Sequence, residues 1–442
     1  MNQRNKKPII PQIENNQSET LKFQLTRSIT GSQATRGFEK LTEKQISNVV
    51  CFSHLRWNFV FQRPQHLLTR WARDVNVYYF EEPEFADQDT ISLRETIDGN
   101  VTILTPVLKH GMSETEINKY LEILLLKFLK LNNIKDFIAW YYTPMAVKFT
   151  RNIKPTLIIY DCMDELSGFK GAHPDLTKNE KFLMDISDVV FTGGHHLYEH
   201  KKHLHDNIYP FSSSIDQEHF ESGNGKIDPF DQQKIPHPRA GFFGVIDERL
   251  DIDLLEQLAL AMPDFHFIMI GPVVKIDPAT LPGHSNIHYL GQKNYKELPA
   301  YIANWDVAIL PFAKNESTRF ISPTKTPEYL AAGKPVVSTS IRDVVKPYGE
   351  KELVQIADDA MEFSDAIRFA LKQRHDKNWK KKVADMLKSN SWEITYNNMR
   401  KIVGKSLMQK DKIEENLFQL NLKPNNNKLG LRELKNLSNE TS

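Results

Sequence analysis

Short apolar runs alternate with amphipathic helical patterns along most of the chain. The runs that predict strands in the first half are NVVCFS, VNVYYF, VTILTP, DFIAWYY, TLIIYDC, DVVFTGG and NIYPFSS. Those in the second half are AGFFGVID, FHFIMIGP, NIHYLGQ, WDVAILPF, KPVVSTS and ELVQIAD. Strands that alternate with helices form parallel sheets covered by helices. The pattern therefore predicts an α/β protein with two doubly wound domains in tandem. Such sheets bind ligands at the carboxyl ends of their strands.

The clearest predicted helix lies between the third and fourth strands. It begins with a capping box formed by Ser113 and Glu116. Apolar residues then follow at the spacing of one helix face, at positions 117, 120, 121, 124, 125 and 128. Further helical patterns are predicted at about 251–261, 294–303 and 360–405.

Composition excludes several classes of protein. Of the 442 residues, 40% are hydrophobic and 26% are charged, which is typical of a globular protein with more than one domain. The 57 basic and 56 acidic residues produce no overall field that would attract nucleic acid. The chain shows neither a membrane-spanning apolar run nor a signal peptide, so we expect it in the cytoplasm. Cys51 and Cys162 are expected to be buried free thiols.

The densest set of candidate residues lies in RFISPTKTPEYLAAGKPVVST, after a predicted strand. Its helix begins with Ser322 or with Thr326 as the N-cap, and Gly333 is expected to end it. Lys325 and Glu328 then lie near a helix start, which can hold phosphate. From these two residues alone, a surface ion pair is an equally good interpretation.

The segment SPTKTPEYLAAGKPVVS resembles the donor site of nucleotide-sugar glycosyltransferases with two Rossmann-like domains, the GT-B architecture. The resemblance is to bacterial group 1, family 4-like transferases of the teichuronic-acid and exopolysaccharide type. It implies that Lys325 contacts the donor diphosphate and that Glu328 contacts the ribose. Arg249, in FFGVIDERLDIDLLEQLA, matches an arginine that supports the lysine. The donor-binding residues predicted in this way are Gly244, Arg249, Arg319, Ser322, Lys325 and Glu328.

The resemblance also suggests where the domains begin and end. SSSIDQEHF is similar to the segment that closes the first domain, and SWEITYNNM is similar to a final helix that crosses back. The predicted divisions are a disordered tail (1–45), an acceptor-binding domain (46–222), a linker (223–238), a donor-binding domain (239–390), a crossing helix (391–409) and a flexible tail (410–442). An interdomain cleft is implied between the two domains.

The chain departs from the family pattern at Phe320. Many members carry a glutamate there, eight residues before the ribose-binding one, and a lysine shortly after the arginine. Inversion and retention of configuration therefore both stay open. Fixed cations aimed at a leaving diphosphate lower the barrier electrostatically. Lys325, Arg249 and Arg319 are expected to do this without a metal ion or another cofactor, for a donor that is expected to be UDP-linked.

The first domain is expected to bind the acceptor through the segment FSHLRWNFVFQRPQHLL, which follows the first strand. The candidate acceptor-binding residues are His54, Arg56, Trp57 and Arg63. Aromatic and arginine side chains suit a sugar or a phosphorylated acceptor. In a weaker alternative, Trp57, Phe59 and Phe61 fill the domain core and Arg63 pairs locally.

A catalytic base is expected in YDCMDELSGF, at the end of another strand. An inverting transferase needs a group that takes the acceptor proton, and we assign this role to Asp161 or Asp164. In HHLYEHKKHLH the histidines have metal-capable spacing, but a solvated helix face is the better interpretation.

Three functional hypotheses follow. The leading one is a hexosyltransferase-like glycosyltransferase that uses a nucleotide sugar and a glycan or lipid-linked acceptor in cell-surface polysaccharide synthesis. Peripheral contact with the inner face of the membrane fits a lipid-linked acceptor. The alternatives are a nucleotide-sugar epimerase of the same fold and a non-catalytic sugar-nucleotide-binding scaffold. The oligomeric state stays open.

Overall fold

Every strand predicted from the apolar runs is present in the computed structural model, which describes residues 46–87, 90–223 and 225–419. The strands are β1 (Asn48–Phe52), β2 (Asn76–Phe80), β3 (Glu84–Ala86), β4 (Ser92–Asp98), β5 (Val101–Lys109), β6 (Ile138–Tyr141), β7 (Leu157–Cys162), β8 (Val189–Thr192), β9 (Ile208–Pro210), β10 (Arg239–Phe243), β11 (His266–Ile270), β12 (Ile287–Gly291), β13 (Val307–Leu310), β14 (Val336–Ser338) and β15 (Val354–Ile356). They form two sheets.

The α-helices lie between these strands and after the last one. They are α1 (Arg63–Trp71), α2 (Glu114–Leu131), α3 (Leu176–Ile186), α4 (His195–Lys201), α5 (Gln217–Glu221), α6 (Ile252–Ala261), α7 (Leu298–Ala303), α8 (Lys325–Ala331), α9 (Arg342–Val344), α10 (Ala360–Gln373), α11 (Lys377–Leu387) and α12 (Trp392–Gln419). Shorter helical turns occur at Pro144–Lys148, Leu166–Gly168, Pro278–Thr280 and Val345–Gly349. No helix in the described ranges is both long and apolar enough to cross a membrane.

The first sheet has the strand order β3-β5-β2-β1-β6-β7-β8-β9, and β4 pairs with β5. All pairs are parallel except β4 with β5, which form an antiparallel hairpin. The sequence did not predict β3 or β4. The reason for β4 is that its sequence, SLRETID, lies at a solvated edge and is mostly polar.

Helices and loops cover both faces of the first sheet, and β1 shows this directly. Val49 and Cys51 enter one apolar cluster, whereas Val50 and Phe52 enter another on the opposite face. Because side chains alternate across a strand, an unbroken apolar run is the expected pattern for a strand buried on both sides. Cys51 and Cys162 are buried free thiols, as predicted.

The second sheet has the strand order β12-β11-β10-β13-β14-β15 and is entirely parallel. In both sheets the chain starts at a central strand and winds outward first to one side and then to the other. The strand order reverses between β1 and β6 in the first sheet and between β10 and β13 in the second. Ligands bind at such switch points, beyond the carboxyl ends of the strands. The predicted fold class is confirmed.

The last helix, α12, returns to the first domain. Its apolar face, which includes Trp392, Tyr396 and Met399, joins the cluster on one face of the first sheet. The helix continues to Gln419, so the predicted change from helix to flexible tail at residue 410 comes too early. The predicted tail at 1–45 and residues 420–442 lie outside the described residues.

Some of the helix boundaries predicted from local sequence signals are confirmed, and others are wrong. The capping box of α2 is present, with Ser113 Oγ accepting from the amide of Glu116. For α8 neither predicted N-cap is correct, because the helix begins at Lys325 with Thr324 as its N-cap. Gly333 follows the end of α8 with φ of +71°, as expected for a helix stop. The pattern at 360–405 is divided among three helices.

Candidate active site

The candidate site lies where loops at the carboxyl ends of both sheets meet. In the second sheet, the loop after β10 carries Gly244 and Arg249, and the segment after β13 leads to Lys325. In the first sheet, the loop after β1 carries His54, and the loop after β7 carries Asp164. The ammonium of Lys275, which follows β11, lies 5.0 Å from the ring centre of Phe169, which follows β7, so the two sets of loops face each other.

Gly244 makes room for Lys325. It has φ of +147°, a conformation that is essentially confined to glycine. A Cβ atom at this position would lie 2.2 Å from Cε of Lys325. The Lys325 side chain therefore crosses directly over the backbone at the end of β10. Its ammonium group lies 5.8 Å from the centre of the Phe243 ring.

Lys325 and Glu328 form a buried, coupled pair. Burial lowers the pKa of Lys325, and the charge of Arg249 adds to this, whereas Glu328 opposes it. Burial also raises the pKa of Glu328, and Lys325 opposes that shift. The Glu328 side chain is 5% exposed, and its Oε2 has no hydrogen-bond partner among the described residues. Buried polar atoms are nearly always paired, so a buried oxygen without a partner is unusual and marks Glu328 as a candidate for ligand contact.

Arg249 is held at the cleft by Asp247. Its Nε lies 2.9 Å from Asp247 Oδ1, and a terminal nitrogen lies 2.7 Å from Oδ2. Burial disfavours the guanidinium charge, but the bonds to Asp247 leave the pKa of Arg249 raised. The guanidinium also lies 5.5 Å from the ring centre of Phe169, which belongs to the first domain. Arg249 is thus a fixed cation between the two sheets.

The two candidate bases have different surroundings. Asp161 is fully buried and accepts hydrogen bonds from two nitrogens of Arg63. Nη2 lies 2.8 Å and Nε lies 3.1 Å from Asp161 Oδ1. This pairing argues against Asp161 as the base, because its oxygens are occupied. Asp164 is half-buried. The loss of water around its carboxyl group raises its pKa to about 6, against the effects of Arg249, Arg63 and Lys325.

Of the four predicted acceptor-binding residues, His54 lies in the cleft. Burial and the charge of Lys275, from the second domain, lower its pKa to about 4, so the imidazole is neutral at neutral pH. Its Nδ1 has no partner among the described residues.

Arg56, Trp57 and Arg63 are committed within the first domain instead. Arg56 donates to the carbonyl oxygen of Glu82 at 2.7 Å. Trp57 is 3% exposed, and its Nε1 donates to Asp98 at 2.8 Å. Arg63 forms the pair with Asp161 described above. The alternative interpretation therefore fits Trp57 and Arg63 better than acceptor binding does. It is wrong for Phe59 and Phe61, which are 38% and 40% exposed.

Arg319 and Ser322 lie beside an interdomain contact. The Arg319 side chain is mostly exposed, with a 3.5 Å contact to Glu316. Ser322 packs so close to Gly194 that a Cβ there would lie 2.8 Å from Ser322 Cβ. The predicted donor contacts of these two residues stay predictions.

Phe320 connects the two domains. It belongs to the second half of the chain but is 7% exposed and packs in the apolar cluster of the first domain. His196 and His200, both on α4, lie 4.7 and 4.6 Å from its ring centre. Asp343, from the second domain, also accepts from the amide of His196 at 3.0 Å. The histidine pattern is therefore used for packing between domains, which explains an aromatic residue at position 320.

Sequence reasoning missed several residues in the cleft. Asp247 follows β10 directly, and its position beside the glycine turn is a signal that could have identified it. Lys275 has φ of +62°, and its ammonium lies 5.0 Å from the centre of the Phe169 ring. Tyr295 lies in the loop after β12, and its hydroxyl has no partner among the described residues. No local pattern marks Lys275 or Tyr295.

Comparison with known proteins agrees with this geometry. Residues 238–373 match the family model for group 1 glycosyl transferases. The chain is also 25% identical over 284 residues to TuaH of Bacillus subtilis (strain 168), which is named as a candidate teichuronic acid biosynthesis glycosyltransferase. That similarity covers 60% of this chain and 71% of TuaH.

Solved structures of glycosyltransferases share the fold. Sucrose-phosphate synthase from Thermosynechococcus elongatus matches with a TM-score of 0.61 and 11% identity, over 81% of this chain and 98% of that one. A UDP-forming α,α-trehalose-phosphate synthase from Burkholderia xenovorans, solved with glucose-6-phosphate, matches with a TM-score of 0.60 and 12% identity, over 80% and 99%. The chain is therefore a glycosyltransferase with the GT-B fold, and its second half carries a group 1 glycosyltransferase domain.

Proposed function

We propose that the chain transfers a sugar from a nucleotide-diphosphate sugar to a glycan or lipid-linked acceptor in cell-surface polysaccharide synthesis. The observation that carries this proposal is the position of Lys325 over the Gly244 backbone, beside the unpartnered carboxylate oxygen of Glu328. A cation and a hydrogen-bond acceptor at a switch point match the two polar parts of a nucleotide, its phosphates and its ribose. The name of TuaH supports an acceptor of the polysaccharide type.

In this proposal the second domain supplies positive charges that stabilise the leaving group. Negative charge develops on the diphosphate as the glycosidic bond breaks, and fixed cations lower that barrier most effectively when water is excluded. Lys325 and Arg249 are two cations held at this edge of the sheet, the first by close packing and the second by Asp247. The name of the UDP-forming relative supports UDP as the carrier.

The first domain supplies the base and part of the acceptor site. If transfer inverts configuration, Asp164 takes the acceptor proton, since burial raises its pKa to about 6 and a carboxylate with a pKa near the working pH is an effective base. The His54 ring hydrogen-bonds the backbone of Tyr142, so the unpartnered Nδ1 of the neutral imidazole can then accept a hydrogen bond from an acceptor hydroxyl. A lipid-linked acceptor would bring the chain to the cytoplasmic face of the membrane.

One experiment tests the transfer. Purified protein is incubated with a panel of nucleotide sugars, with and without lipid-linked glycan acceptors, and both nucleoside diphosphate release and sugar products are followed. We expect release that depends on the acceptor and a glycosylated acceptor as the product. Formation of an epimer without acceptor, or donor binding without turnover with any acceptor, would contradict the proposal.

A further inference from the structure

The segment that leads from α5 to β10, residues 225–238, turns apolar side chains outward and polar ones inward. We call it the joining segment. Ile227 is 89% exposed and Phe230 is 78% exposed, the two highest values among the large hydrophobic residues that the structure describes. Gln232, only two positions further on, is fully buried. Water favours the opposite arrangement, so this exposure points to a partner that covers the two apolar side chains.

Hydrogen bonds to the second domain hold the joining segment in this orientation. Gln232 Nε2 donates to the carbonyl oxygen of Tyr301 at 3.1 Å, and Gln232 Oε1 accepts from Trp305 Nε1 at 2.9 Å. Asp228 Oδ2 accepts from Nη1 of the buried Arg239 at 2.6 Å. Loss of such a bond leaves a buried polar group unpaired, which costs free energy. The two apolar side chains therefore cannot replace the inward polar ones without this cost.

The charges that remain unpaired on the joining segment are positive. Both of its carboxylates have basic partners, Asp228 in the bond described above and Asp231 in a 2.6 Å contact with Lys293 Nζ. Lys226 and Lys234 have no acidic partner among the residues that the structure describes. The exposed apolar side chains are thus accompanied by two positive charges, which complement an anionic surface.

Apolar side chains beside lysines match the surface of an anionic lipid bilayer. Lys226 directly precedes Ile227, and the Lys234 ammonium lies 5.6 Å from the centre of the Phe230 ring. Where a protein docks on a bilayer, apolar side chains enter the boundary between head groups and acyl chains, and lysines contact anionic head groups. A folded protein partner is a poorer match, because two side chains of this size bury at most roughly 400 Å², half of one side of a stable protein interface.

We propose that the joining segment docks on an anionic lipid bilayer through its two apolar side chains, with its two lysines at the lipid head groups. Such a contact is weak and reversible, because even a single acyl chain gives only marginal membrane binding. The docking itself does not depend on the proposed function. Only its use, to bring the enzyme to a lipid-linked acceptor, rests on that function.

Vesicle sedimentation with the full chain tests the docking in the absence of donor and acceptor. The vesicles contain phosphatidylcholine alone or an equal mixture with phosphatidylglycerol, which is anionic. We expect the chain to bind the anionic vesicles at millimolar lipid, to lose this binding at high salt, and to bind phosphatidylcholine only weakly. A chain that does not bind the anionic vesicles, or that binds both kinds equally, would overturn the proposal.

Two double variants test the residues of the joining segment. Ile227→Ser with Phe230→Ser should weaken binding to the anionic vesicles by roughly tenfold or more, because two apolar side chains no longer leave water. Lys226→Gln with Lys234→Gln should weaken it by roughly fivefold for each lysine. All four side chains are exposed, so thermal unfolding should be unchanged. Wild-type affinity of either variant for the anionic vesicles would contradict the assignment.

Met361→Ser with Phe369→Ser is the matched control. Both side chains are exposed, but they lie on α10 together with the acidic Glu362 and Asp365. We expect no change in vesicle binding, and a loss equal to that of the first variant would overturn the assignment to the joining segment. A dimer in sedimentation velocity that dissociates in the first variant would identify a second copy as the occupant and overturn the proposal. Failed docking with acceptor-dependent transfer to a water-soluble glycan leaves the proposed function intact, whereas docking without transfer to any acceptor contradicts that function alone.

Discussion

Replacement of Gly244 by alanine should displace Lys325 without touching its charge. An ideal Cβ at this position lies 2.2 Å from Lys325 Cε and 3.0 Å from Nζ. The Gly244 amide donates to the Ile270 carbonyl oxygen at 2.8 Å, and the Gly271 backbone comes so close to Gly244 that a Cβ on Gly271 would lie 1.8 Å from the Gly244 carbonyl oxygen, so the Gly244 backbone has little room to move. Ordinary carbon contacts are about 3.5–4.0 Å, so the lysine must move by more than about 1 Å. The ammonium then no longer points to the place where we expect the diphosphate.

The expected loss of affinity follows from the lost hydrogen bond between Lys325 and the diphosphate. A hydrogen bond to a charged group contributes about 1.5–3 kcal/mol, which corresponds to roughly a tenfold to hundredfold loss of affinity. Calorimetric titration with UDP measures this, and thermal unfolding shows whether the variant remains folded. Gly99→Ala is the control for backbone strain, because Gly99 has φ of +56° but open space around it. That variant should lose stability and keep its affinity for UDP.

A double variant tests whether the Gly244 substitution acts through Lys325. Lys325→Ala alone should weaken the binding of UDP at least as much as Gly244→Ala does. Because both changes act through the same ammonium group, Gly244→Ala in the Lys325→Ala background should add little. Folded Gly244→Ala protein with wild-type affinity for UDP, or a fully additive double variant, would refute the assignment of Lys325 to the diphosphate.

Three further predictions concern other parts of the cleft. Asp164→Asn should lower kcat by about 10²–10⁴-fold with donor affinity retained, and kcat/KM of the wild type should fall below about pH 6, because the protonated acid cannot accept a proton; a normal rate in steady-state assays would exclude Asp164 as the base. Arg63→Met should cost about 3–5 kcal/mol in urea unfolding, because it leaves Asp161 charged and unpaired in the interior; an unchanged midpoint would contradict a structural pair. Phe320→Ala should destabilise the chain by about 3–5 kcal/mol in the same assay, as for a buried aromatic, and full stability would show that the interdomain packing is weak.

The proposed donor site and the contact between the domains lie close together in the chain. Phe320 packs in the first domain only five residues before Lys325, and Phe61 of the first domain stacks on Tyr295 of the second. A change in the angle between the sheets would therefore move groups on both sides of the donor site. Closure of such a cleft excludes water, which strengthens the electrostatic effect of Lys325 on a leaving group.

Much of the architecture was determined by the sequence alone. Alternation of apolar runs with helical patterns predicted two doubly wound domains, because strand and helix periodicities depend on neighbours along the chain. The capping box at Ser113 was readable for the same reason. Strand order also placed Lys325 and Glu328 beyond the end of a strand, although the exact start of α8 was not readable from its two prolines.

Tertiary structure decided which polar residues face the cleft. The sequence suggested Arg63 as an acceptor-binding residue and Asp161 as a base. In the structure they form an ion pair with each other, although they lie 98 positions apart in the sequence. Tyr295 has no signature of its own in the sequence, yet rings from two distant segments stack on it. The physical reason is that periodicity is a local property, whereas the partner of a buried charge or hydroxyl depends on which distant segments the fold brings together.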